Sequence, residues 1–463
     1  MRTRILLFIF LLAGPAARAQ NRVQQIDSLL TALHAAGKFN GNVLVAEKGE
    51  VIYSHSFGLA NETTKAKLDE NSVFELASCS KQFTAMGILL LAQSGKLKLD
   101  DPVTKYIPEL SYYPDITIRH LLHHTSGLPD YMDLMDSVYD KSRIATNKDM
   151  IAVFQQHEPE TSFAADTRYE YSNTGYALLA SVIEKASGMS YGEYLQTAIF
   201  RPLQMNHTFV YTRRLAPKEV PNYAFGYVYD DKLKAYKLPD DVKETRMVVW
   251  LDGIVGDGTV NSTVTDLLKW DRALYTTQLL PAEAMKEVFA PAVLNDGSRT
   301  RYGFGWSVDS TADFGRVASH SGGWPGYVTW IERHLDNDKT IIILQNHANV
   351  TIPARSLRYI LYNKPVPGAP QVRKEITLTP EQQQAVTGVY EIQPGVELAI
   401  SLDKGQVYAQ LTGQNAFPIF AESELFFFLK VVDAQLQFEK NAAGQVTQLY
   451  LLQNGNRLPA KRK

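Results

Sequence analysis

Two strand-rich stretches enclose a long helical stretch in the main part of this chain, and this order limits the possible fold. Residues Gly41–Tyr53 alternate between apolar and polar, turn at Lys48-Gly49 and alternate again, which predicts a hairpin. Strand-like runs return after Tyr302, whereas the sequence from about 130 to 277 is largely helical. We therefore predict one antiparallel sheet built from N- and C-terminal segments, flanked by helices, plus a helical subdomain. A substrate site is expected in the seam between the sheet and the helices.

A proline-rich segment, Lys364–Pro370, divides the chain and predicts a linker at 363–374. Beyond it, short alternating runs recur at regular spacing between Gly-containing turns, which predicts a small all-β, barrel-like domain at 375–463. The larger domain is then 20–362, and the predicted fold class is α+β followed by this all-β domain.

The first nineteen residues have the parts of a secretory signal: basic residues, an apolar run and small residues before Gln20. We expect cleavage after Ala19 and a periplasmic or secreted protein. No cysteine lies near the cleavage site to carry a lipid anchor, and no later apolar run predicts a transmembrane segment.

The charge balance and the cysteine content exclude several classes of function. The formal net charge is −2, and loss of the arginine-containing signal would make the chain more acidic, which argues against a nucleic-acid partner. Cys79 is the only cysteine, so an intrachain disulfide and a cysteine-based zinc site are both excluded. We expect no metal and no organic cofactor.

The stretch Phe74–Met86 carries the first candidate chemistry. Apolar residues at helical spacing place Ser78 near a helix N-terminus, where the helix dipole favours a developing oxyanion. Lys81 shares the same helix face and can act as a base once it has lost its proton. A second Ser-x-x-Lys, Ser401 to Lys404, falls in an Asp-Lys-Gly turn between two strand-like runs and is interpreted as structural.

Two further motifs carry polar groups suited to the same chemistry. Tyr171-Ser172-Asn173 lies on a predicted loop, where a phenol beside an ammonium can relay a proton and an amide can bind a substrate amide. The second motif is His320-Ser321-Gly322-Gly323, which closes a predicted strand at 316–319 or lies on its edge. A glycine at this place allows close approach of a substrate. A backbone N–H there can form an oxyanion hole together with the N–H of Ser78.

These motifs together resemble those of the serine β-lactamase and penicillin-binding-protein-like hydrolases. The branch most similar contains class C β-lactamases, D-alanyl-D-alanine carboxypeptidases, D-aminopeptidases and esterases. The similarity extends from about Gly41 to Tyr362, and the C-terminal region resembles the lipocalin-like tails of some of these enzymes. The three matching motifs, in chain order, are Ser78-x-x-Lys81, Tyr171-x-Asn173 and His320-x-Gly322.

The resemblance implies a role for each motif residue. Ser78 would be the acylated nucleophile, Lys81 its base and Tyr171 the proton relay, while Asn173, His320, Gly322 and Gly323 would bind substrate. His320 replaces the lysine of the Lys-Thr-Gly motif in class C β-lactamases, and histidine is not a permanent cation. The replacement disfavours strong β-lactam turnover and favours peptides, D-amino acid derivatives or esters.

Other residues admit a structural interpretation, which we prefer. Cys79 is expected to be a small buried residue and not a reactive thiol. His120, His123 and His124 are expected to belong to a structural loop and not to a metal site. Asp257, in a glycine loop, is either a site residue or a turn aspartate.

The leading functional hypothesis is an exported serine hydrolase that acts through an acyl-enzyme on a small-molecule or peptide substrate. The alternative is a catalytically silent relative that binds peptidoglycan fragments or peptides as a sensor or scaffold. In a third hypothesis the all-β domain is the functional part, as a lipid-binding or oligomerisation module.

Overall fold

A computed structural model describes residues 14–367, 375–430, 434–453 and 456–463, with side chains from residue 20. Most of the predicted signal and most of the predicted linker lie outside the described residues. Contacts divide the chain into two compact units, one ending at Arg358 and the other beginning at Tyr359. The described helices are α1 Gly14–Ala35, α2 Lys81–Gln93, α3 Ile118–His123, α4 Tyr131–Val138, α5 Asn147–His157, α6 Asn173–Ser187, α7 Tyr191–Leu195, α8 Met247–Trp250, α9 Val264–Ala273, α10 Ala282–Val288, α11 Ala354–Leu361 and α12 Pro380–Val386.

The first unit is built on a six-stranded antiparallel sheet with the order β2-β1-β11-β10-β9-β8. N-terminal and C-terminal strands therefore pair directly, which confirms the predicted α+β arrangement. The strands of this unit are β1 Gly41–Glu47, β2 Glu50–Phe57, β3 Phe74–Glu75, β4 Phe209–Val210, β5 Val228–Asp230, β6 Ala235–Lys237, β7 Val260–Ser262, β8 Ser307–Thr311, β9 Gly315–Trp324, β10 Tyr327–His334 and β11 Lys339–Gln345.

The middle of the sheet is covered on both faces. Every residue of β11 is buried, as its continuous apolar run Ile341–Leu344 requires, because a central strand between two layers of helix has no solvent-facing side. The edge strand β8 is mostly exposed. Burial therefore follows the position of each strand in the sheet.

Helix α2 forms the centre of the larger core. Its residues from Lys81 to Leu89 are all buried, because the helix is apolar around most of its circumference. Phe83 packs against Trp270 and Phe200, with ring centroids 4.6 and 5.3 Å away. This packing fixes the helix that begins directly after the Ser78 turn.

The segment predicted to be largely helical also contains short strands. Strands β3, β7 and β4 form a three-stranded sheet beside the Ser78 turn, and β5 and β6 form a hairpin. Strands of two or three residues leave too little alternation to be recognised in a sequence. They nevertheless hold the segment before Ser78 in place, since Glu75 of β3 pairs with Asn261 of β7.

The second unit is a closed eight-stranded antiparallel barrel, which confirms the predicted all-β domain. Inward-facing side chains such as Leu398, Ile400 and Phe438 pack its interior. Its strands are β12 Gly388–Gln393, β13 Val396–Asp403, β14 Gln406–Leu411, β15 Phe417–Ser423, β16 Phe426–Leu429, β17 Ala434–Lys440, β18 Val446–Gln453 and β19 Asn456–Arg462.

Across the part of the chain that the structure describes, every helix is too short or too polar to cross a bilayer.

Candidate active site

Ser78 lies in a strained turn between β3 and α2. The turn Ala77–Ser80 is a 3-10 helix, and Ala77 has φ of +48°, a left-handed conformation that costs a residue with a side chain about 1–2 kcal/mol. Two contacts on Leu76 hold the turn: its N–H donates to Val260 O at 2.8 Å, and Thr329 Oγ1 donates to its carbonyl at 2.8 Å. The turn presents Ser78 at the surface of a cavity.

Lys81 is completely buried and contacts Ser78 directly. Its Nζ lies 3.1 Å from Ser78 Oγ, 3.0 Å from Asn173 Oδ1 and 2.9 Å from Asp257 O. Three acceptors therefore surround the three N–H groups of an ammonium. A neutral amine in the same place would keep two N–H donors for Asn173 and Asp257 and direct its lone pair at the Ser78 hydroxyl.

Asn173 and Asp257 are held in place by a network that extends beyond the sequence motifs. Asn173 Nδ2 donates to Asp130 Oδ2 at 3.0 Å, and the other oxygen of Asp130 accepts the Met132 N–H at the start of α4. Tyr131 donates its hydroxyl to Asp257 Oδ2 at 3.1 Å, and burial raises the pKa of the Asp257 carboxyl. Asp257 is therefore a site residue, and Asp130 is one that the sequence analysis missed.

A glycine brings Asp257 to the lysine. Gly256 has φ of +108°, and a Cβ there would lie 2.4 Å from Tyr176 O in α6. Only glycine fits this contact. Thr84 Oγ1 of α2 donates to Gly256 O at 2.5 Å, which joins the loop to the helix that carries Lys81.

Tyr171 lies beside the lysine and is still accessible to solvent. The residue is 38% exposed, and Lys81 Nζ is 5.0 Å from the centroid of its ring. His124 packs on the other side, with ring centroids 4.3 Å apart. The Ser172 N–H donates to His124 Nδ1, and burial, followed by Lys81, holds the pKa of His124 far below its usual range. A neutral histidine thus supports Tyr171, a contact that sequence patterns alone did not indicate.

His320 lies inside strand β9 and not at its end. The strand continues to Trp324, five residues beyond the predicted end at Ser319. It pairs with β8 only as far as Ser319, so the stretch from His320 onward pairs with β10 alone. The edge that β8 leaves free is the one beside the Ser78 turn, where Cys79 Sγ donates to His320 O at 3.3 Å.

The hydrogen bonds of His320 define its tautomer. Its Nδ1 lies 2.7 Å from Ser321 O, a carbonyl that only accepts, so the ring proton is on Nδ1. Nε2 then accepts the Tyr302 hydroxyl at 2.9 Å. Burial, and then Lys81, lower the pKa of His320 to about 3. His320 is therefore neutral at physiological pH, has both nitrogens engaged, and is not among the residues that line the cavity.

The two glycines of this motif have different surroundings. A Cβ on Gly322 would lie 2.1 Å from Thr329 Oγ1 and 2.2 Å from Leu76 O, so glycine is required for β9 to approach the Ser78 turn. A Cβ on Gly323 would meet nothing within 4 Å, and Gly323 lines the cavity. Gly322 thus packs behind the cavity wall, whereas Gly323 leaves room for a ligand.

The cavity has a volume of about 460 Å³ and combines an apolar wall with acidic groups. Ser78, Tyr171, Asn173 and Gly323, of the residues predicted as site residues, reach its surface. The carboxyl groups that line it belong to Glu75, Asp252 and Asp257. Its apolar wall is formed by Met132, Tyr211, Met247, Leu251, Ile254 and Trp324.

The remaining candidates have structural surroundings. Cys79 is completely buried, and burial raises the pKa of its thiol to about 12, which keeps it protonated. His120 lies 3.1 Å from Asp166, and His123 Nδ1 is 3.1 Å from Tyr302 O. Within the described ranges, no group of three or more His, Cys, Asp or Glu side chains has the geometry of a metal site.

Known proteins are similar to this chain over most of its length. A model of the Beta-lactamase family matches residues 26–361, and a model called Domain of unknown function (DUF3471) matches residues 372–458. Penicillin-binding protein 4* of Bacillus subtilis (strain 168) is 42% identical over 425 residues, which cover 90% of this chain and 94% of that protein.

Two solved structures have the same fold. D-amino acid amidase from Ochrobactrum anthropi SV3, complexed with L-phenylalanine amide, is 26% identical, with a TM-score of 0.58 and coverage of 71% of this chain and 91% of that one. The octameric penicillin-binding protein homologue from Pyrococcus abyssi is 22% identical, with a TM-score of 0.63 and coverage of 94% and 99%. The second likeness concerns the fold alone.

Proposed function

Because this chain belongs to the β-lactamase family, whose penicillin-binding-protein and D-amino acid amidase relatives are serine hydrolases, we propose that it hydrolyses an amide or ester through an acyl-enzyme on Ser78. The observation that carries the proposal is the 3.1 Å contact between Lys81 Nζ and Ser78 Oγ. A buried amine in hydrogen-bonding contact with a hydroxyl is the arrangement of an activated nucleophile.

In the proposed reaction, neutral Lys81 accepts the Ser78 proton as Oγ attacks the substrate carbonyl. The C–O bond to Ser78 forms, the tetrahedral intermediate collapses, and the amine or alcohol leaves with a proton. Water then attacks the ester of Ser78 and releases the acid and the free hydroxyl. Asn173 Oδ1 and Asp257 O accept the two remaining N–H groups of Lys81 throughout, which keeps its lone pair directed at Ser78.

We assign the proton transfer to the leaving group to Tyr171. Its ring lies next to Lys81 and the residue lines the cavity, which supports a role for its hydroxyl in passing a proton between the lysine and a bound substrate. Asn173 has a second role in this proposal, since it lines the cavity and offers an amide to the substrate. The backbone N–H groups of Ser78 and Gly323 are assigned to the oxyanion.

The proposed substrate is an amide or ester that does not depend on a carboxylate anchor. His320 is neutral and lies behind the cavity wall, so it supplies no positive charge to a carboxylate. This supports D-amino acid derivatives, peptides and esters over β-lactams, whose recognition in the class C enzymes involves the lysine that His320 replaces.

The proposal includes export. Residues 1–19 have the composition of a secretory signal, which supports a mature enzyme in the periplasm or outside the cell. Expression of the full chain in a bacterial host and N-terminal sequencing of the exported protein test this step, with Gln20 expected as the first residue.

Covalent labelling tests the nucleophile. The mature protein is incubated with a fluorophosphonate and, separately, with a penicillin, and intact mass is measured. A single fluorophosphonate adduct is expected on Ser78, absent from Ser78→Ala and retained in Ser401→Ala, which removes the serine of the second Ser-x-x-Lys. Penicillin labelling would direct the substrate search towards D-Ala-D-Ala-like peptides. No adduct in folded protein would overturn the hydrolase proposal in favour of a non-catalytic binding protein.

A further inference from the structure

Glu75 places a carboxyl group in the active-site cavity three residues before Ser78. Successive side chains of a strand point to opposite faces, and Phe74, the other residue of β3, is completely buried in the core. Glu75 is consequently directed the other way, into the cavity. The pairing of β3 with β7 fixes this direction, with Glu75 opposite Asn261.

The Glu75 carboxyl differs from the other two acids of the cavity. Asp252 accepts hydrogen bonds from the backbone N–H groups of Arg214 and Leu215 at 2.7 and 2.9 Å and from Arg214 Nη1 at 2.9 Å. Asp257 accepts the Tyr131 hydroxyl. Within the described part of the chain, the Glu75 side chain has neither a hydrogen bond nor an ion pair. A partly buried carboxylate without donors is unfavourable, so this group is available for a ligand that donates.

The charged groups around Glu75 leave its carboxyl group without a neutralising contact among the described residues. Burial, the largest effect, raises its pKa to about 7, and Asp252 and Asp240 act in the same direction. Arg214 and Arg213 act against this rise without contacting Glu75, because Asp240 and Asp252 take up their guanidinium groups. The charge of Glu75 also contributes to raising the pKa of the Tyr223 and Tyr327 phenols, so both phenols lie near it.

The rest of the cavity offers no competing site for an anion. Among the described residues, those that line the cavity include no lysine, arginine or histidine, and the Lys81 amine is engaged by Ser78, Asn173 and Asp257. His320 is neutral. The cavity therefore combines the Glu75 carboxyl group, which has no partner among the described residues, with an apolar wall that includes Met247, Leu251 and Trp324.

We propose that Glu75 binds a primary ammonium group of the substrate and thereby selects amides or esters of amino acids with a free amine and an apolar side chain. An ammonium supplies the donors that the carboxylate lacks, and the apolar wall receives the side chain. This inference rests on the proposed hydrolase function, and it names the group by which that site recognises its substrate.

The test compares matched substrates on the full-length protein. The p-nitrophenyl esters of D- and L-phenylalanine are compared with their N-acetyl counterparts, which retain the side chain and lose the charge. For its favoured enantiomer, the wild-type protein is expected to have a kcat/KM roughly 10–100-fold higher for the free-amine ester than for the N-acetyl ester. This factor corresponds to one charge-assisted hydrogen bond and is expected mainly in KM. Glu75→Gln is expected to remove this preference, because kcat/KM for the free-amine ester falls by that factor relative to kcat/KM for the N-acetyl ester.

Two controls separate recognition from structure. Glu70→Gln changes an exposed acid close in sequence and is expected to keep the wild-type preference. A wild-type competition needs no variant: phenylalaninamide is expected to inhibit at least ten times better than neutral 3-phenylpropionamide, which lacks the amine (about 1.4 kcal/mol).

The outcomes distinguish the inference from the function beneath it. Equal turnover of free-amine and N-acetyl esters by the wild type, or an equal loss of both in Glu75→Gln, would overturn the role of Glu75 and leave the hydrolase proposal intact. Absence of both ester turnover and Ser78 labelling would overturn the two together.

Discussion

The two Ser-x-x-Lys sequences of this chain have the same spacing and very different surroundings. Ser78 and Lys81 lie on one turn where a 3-10 helix passes into α2, and their polar atoms are 3.1 Å apart. Ser401 is an exposed residue of strand β13, and Lys404 occupies the following turn with φ of +49°. Residues three apart share a face on a helix and point to opposite faces on a strand. The spacing therefore indicates chemistry only in a helical context.

Burial is the second difference between the two copies. Lys81 is completely buried among the acceptors of Asn173 and Asp257, whereas Lys404 is exposed. A buried amine has few permitted positions, and an exposed one samples many. The first unit therefore supplies a buried environment lined by hydrogen-bond acceptors, which the second copy lacks.

The largest expected effect comes from removing either group of the first copy. Ser78→Ala and Lys81→Ala are each expected to lower kcat/KM for an activated ester by at least about 10²–10⁴-fold, because nucleophile and base are lost. The kcat/KM of Ser401→Ala and of Lys404→Ala is expected to stay within about twofold of the wild-type value, because both positions are exposed. Steady-state kinetics on all four variants makes the measurement. A comparable loss in a variant of the second copy would contradict the distinction.

A smaller effect is expected when the packing that holds the first copy is disturbed. Gly322→Ala introduces a methyl group against Leu76 O, behind the Ser78 turn, and is expected to lower the free energy of unfolding by about 1–3 kcal/mol and to reduce turnover. Gly323→Ala, whose Cβ meets nothing within 4 Å, is its matched control and is expected to unfold like the wild type. Urea denaturation measures both. Equal stabilities would show that the turn tolerates displacement.

The two units are also expected to respond differently to acid. All ten histidines precede Tyr359. Burial lowers the pKa of His123 and His347 to about 4 and that of His320 to about 3, and it holds the pKa of His124 far below its usual range. Below the ordinary value of 6.5, the unfolded chain binds protons that the folded chain does not. The stabilising contribution of these groups is thus complete above pH 6.5 and is lost as the pH falls towards 3.

Tryptophan fluorescence can follow this loss in one unit, because all five tryptophans also precede Tyr359. The urea concentration at the unfolding midpoint, measured by fluorescence, is expected to decrease as the pH is lowered from 6.5 to 4. One histidine changes the free energy of unfolding by at most about 1.4 kcal/mol per pH unit. The raised pKa values of Glu75 and Asp257 act in the opposite direction and reduce the total loss of stability at low pH. His320→Gln is expected to flatten the slope. A slope that His320→Gln leaves unchanged would show that His320 is not the group that titrates.

The smallest effect is expected from removal of the barrel. A chain ending at Asn363 keeps α11 and the complete core of the first unit. Its ester turnover is expected to stay within about twofold of the full chain, and its size in solution is compared by light scattering. A large loss of activity would give the barrel a part in catalysis, and a change in subunit number would identify it as an oligomerisation module.

Sequence patterns predicted the long elements and missed the short ones. The alternation of β1 and β2 and the apolar run of β11 are long enough to be recognised. Strands β3 and β7 are two and three residues long and carry no period, although β3 positions Glu75. The end of β9 was placed too early because His320-Ser321-Gly322-Gly323 is poor in strand-forming residues, and pairing with β10 overrides that local preference.

The sequence by itself determined the order of the elements, the presence of a second, all-β unit and the motifs that meet around Lys81, because these depend on local periodicity and residue type. Tertiary structure decided that Asp130 and His124 support the site and that His320 is neutral behind the cavity wall. It also decided that Glu75 lines the cavity and has no hydrogen bond or ion pair to another described residue. Burial, hydrogen-bond partners and pKa depend on residues far apart in the chain, and only the folded molecule brings those residues together.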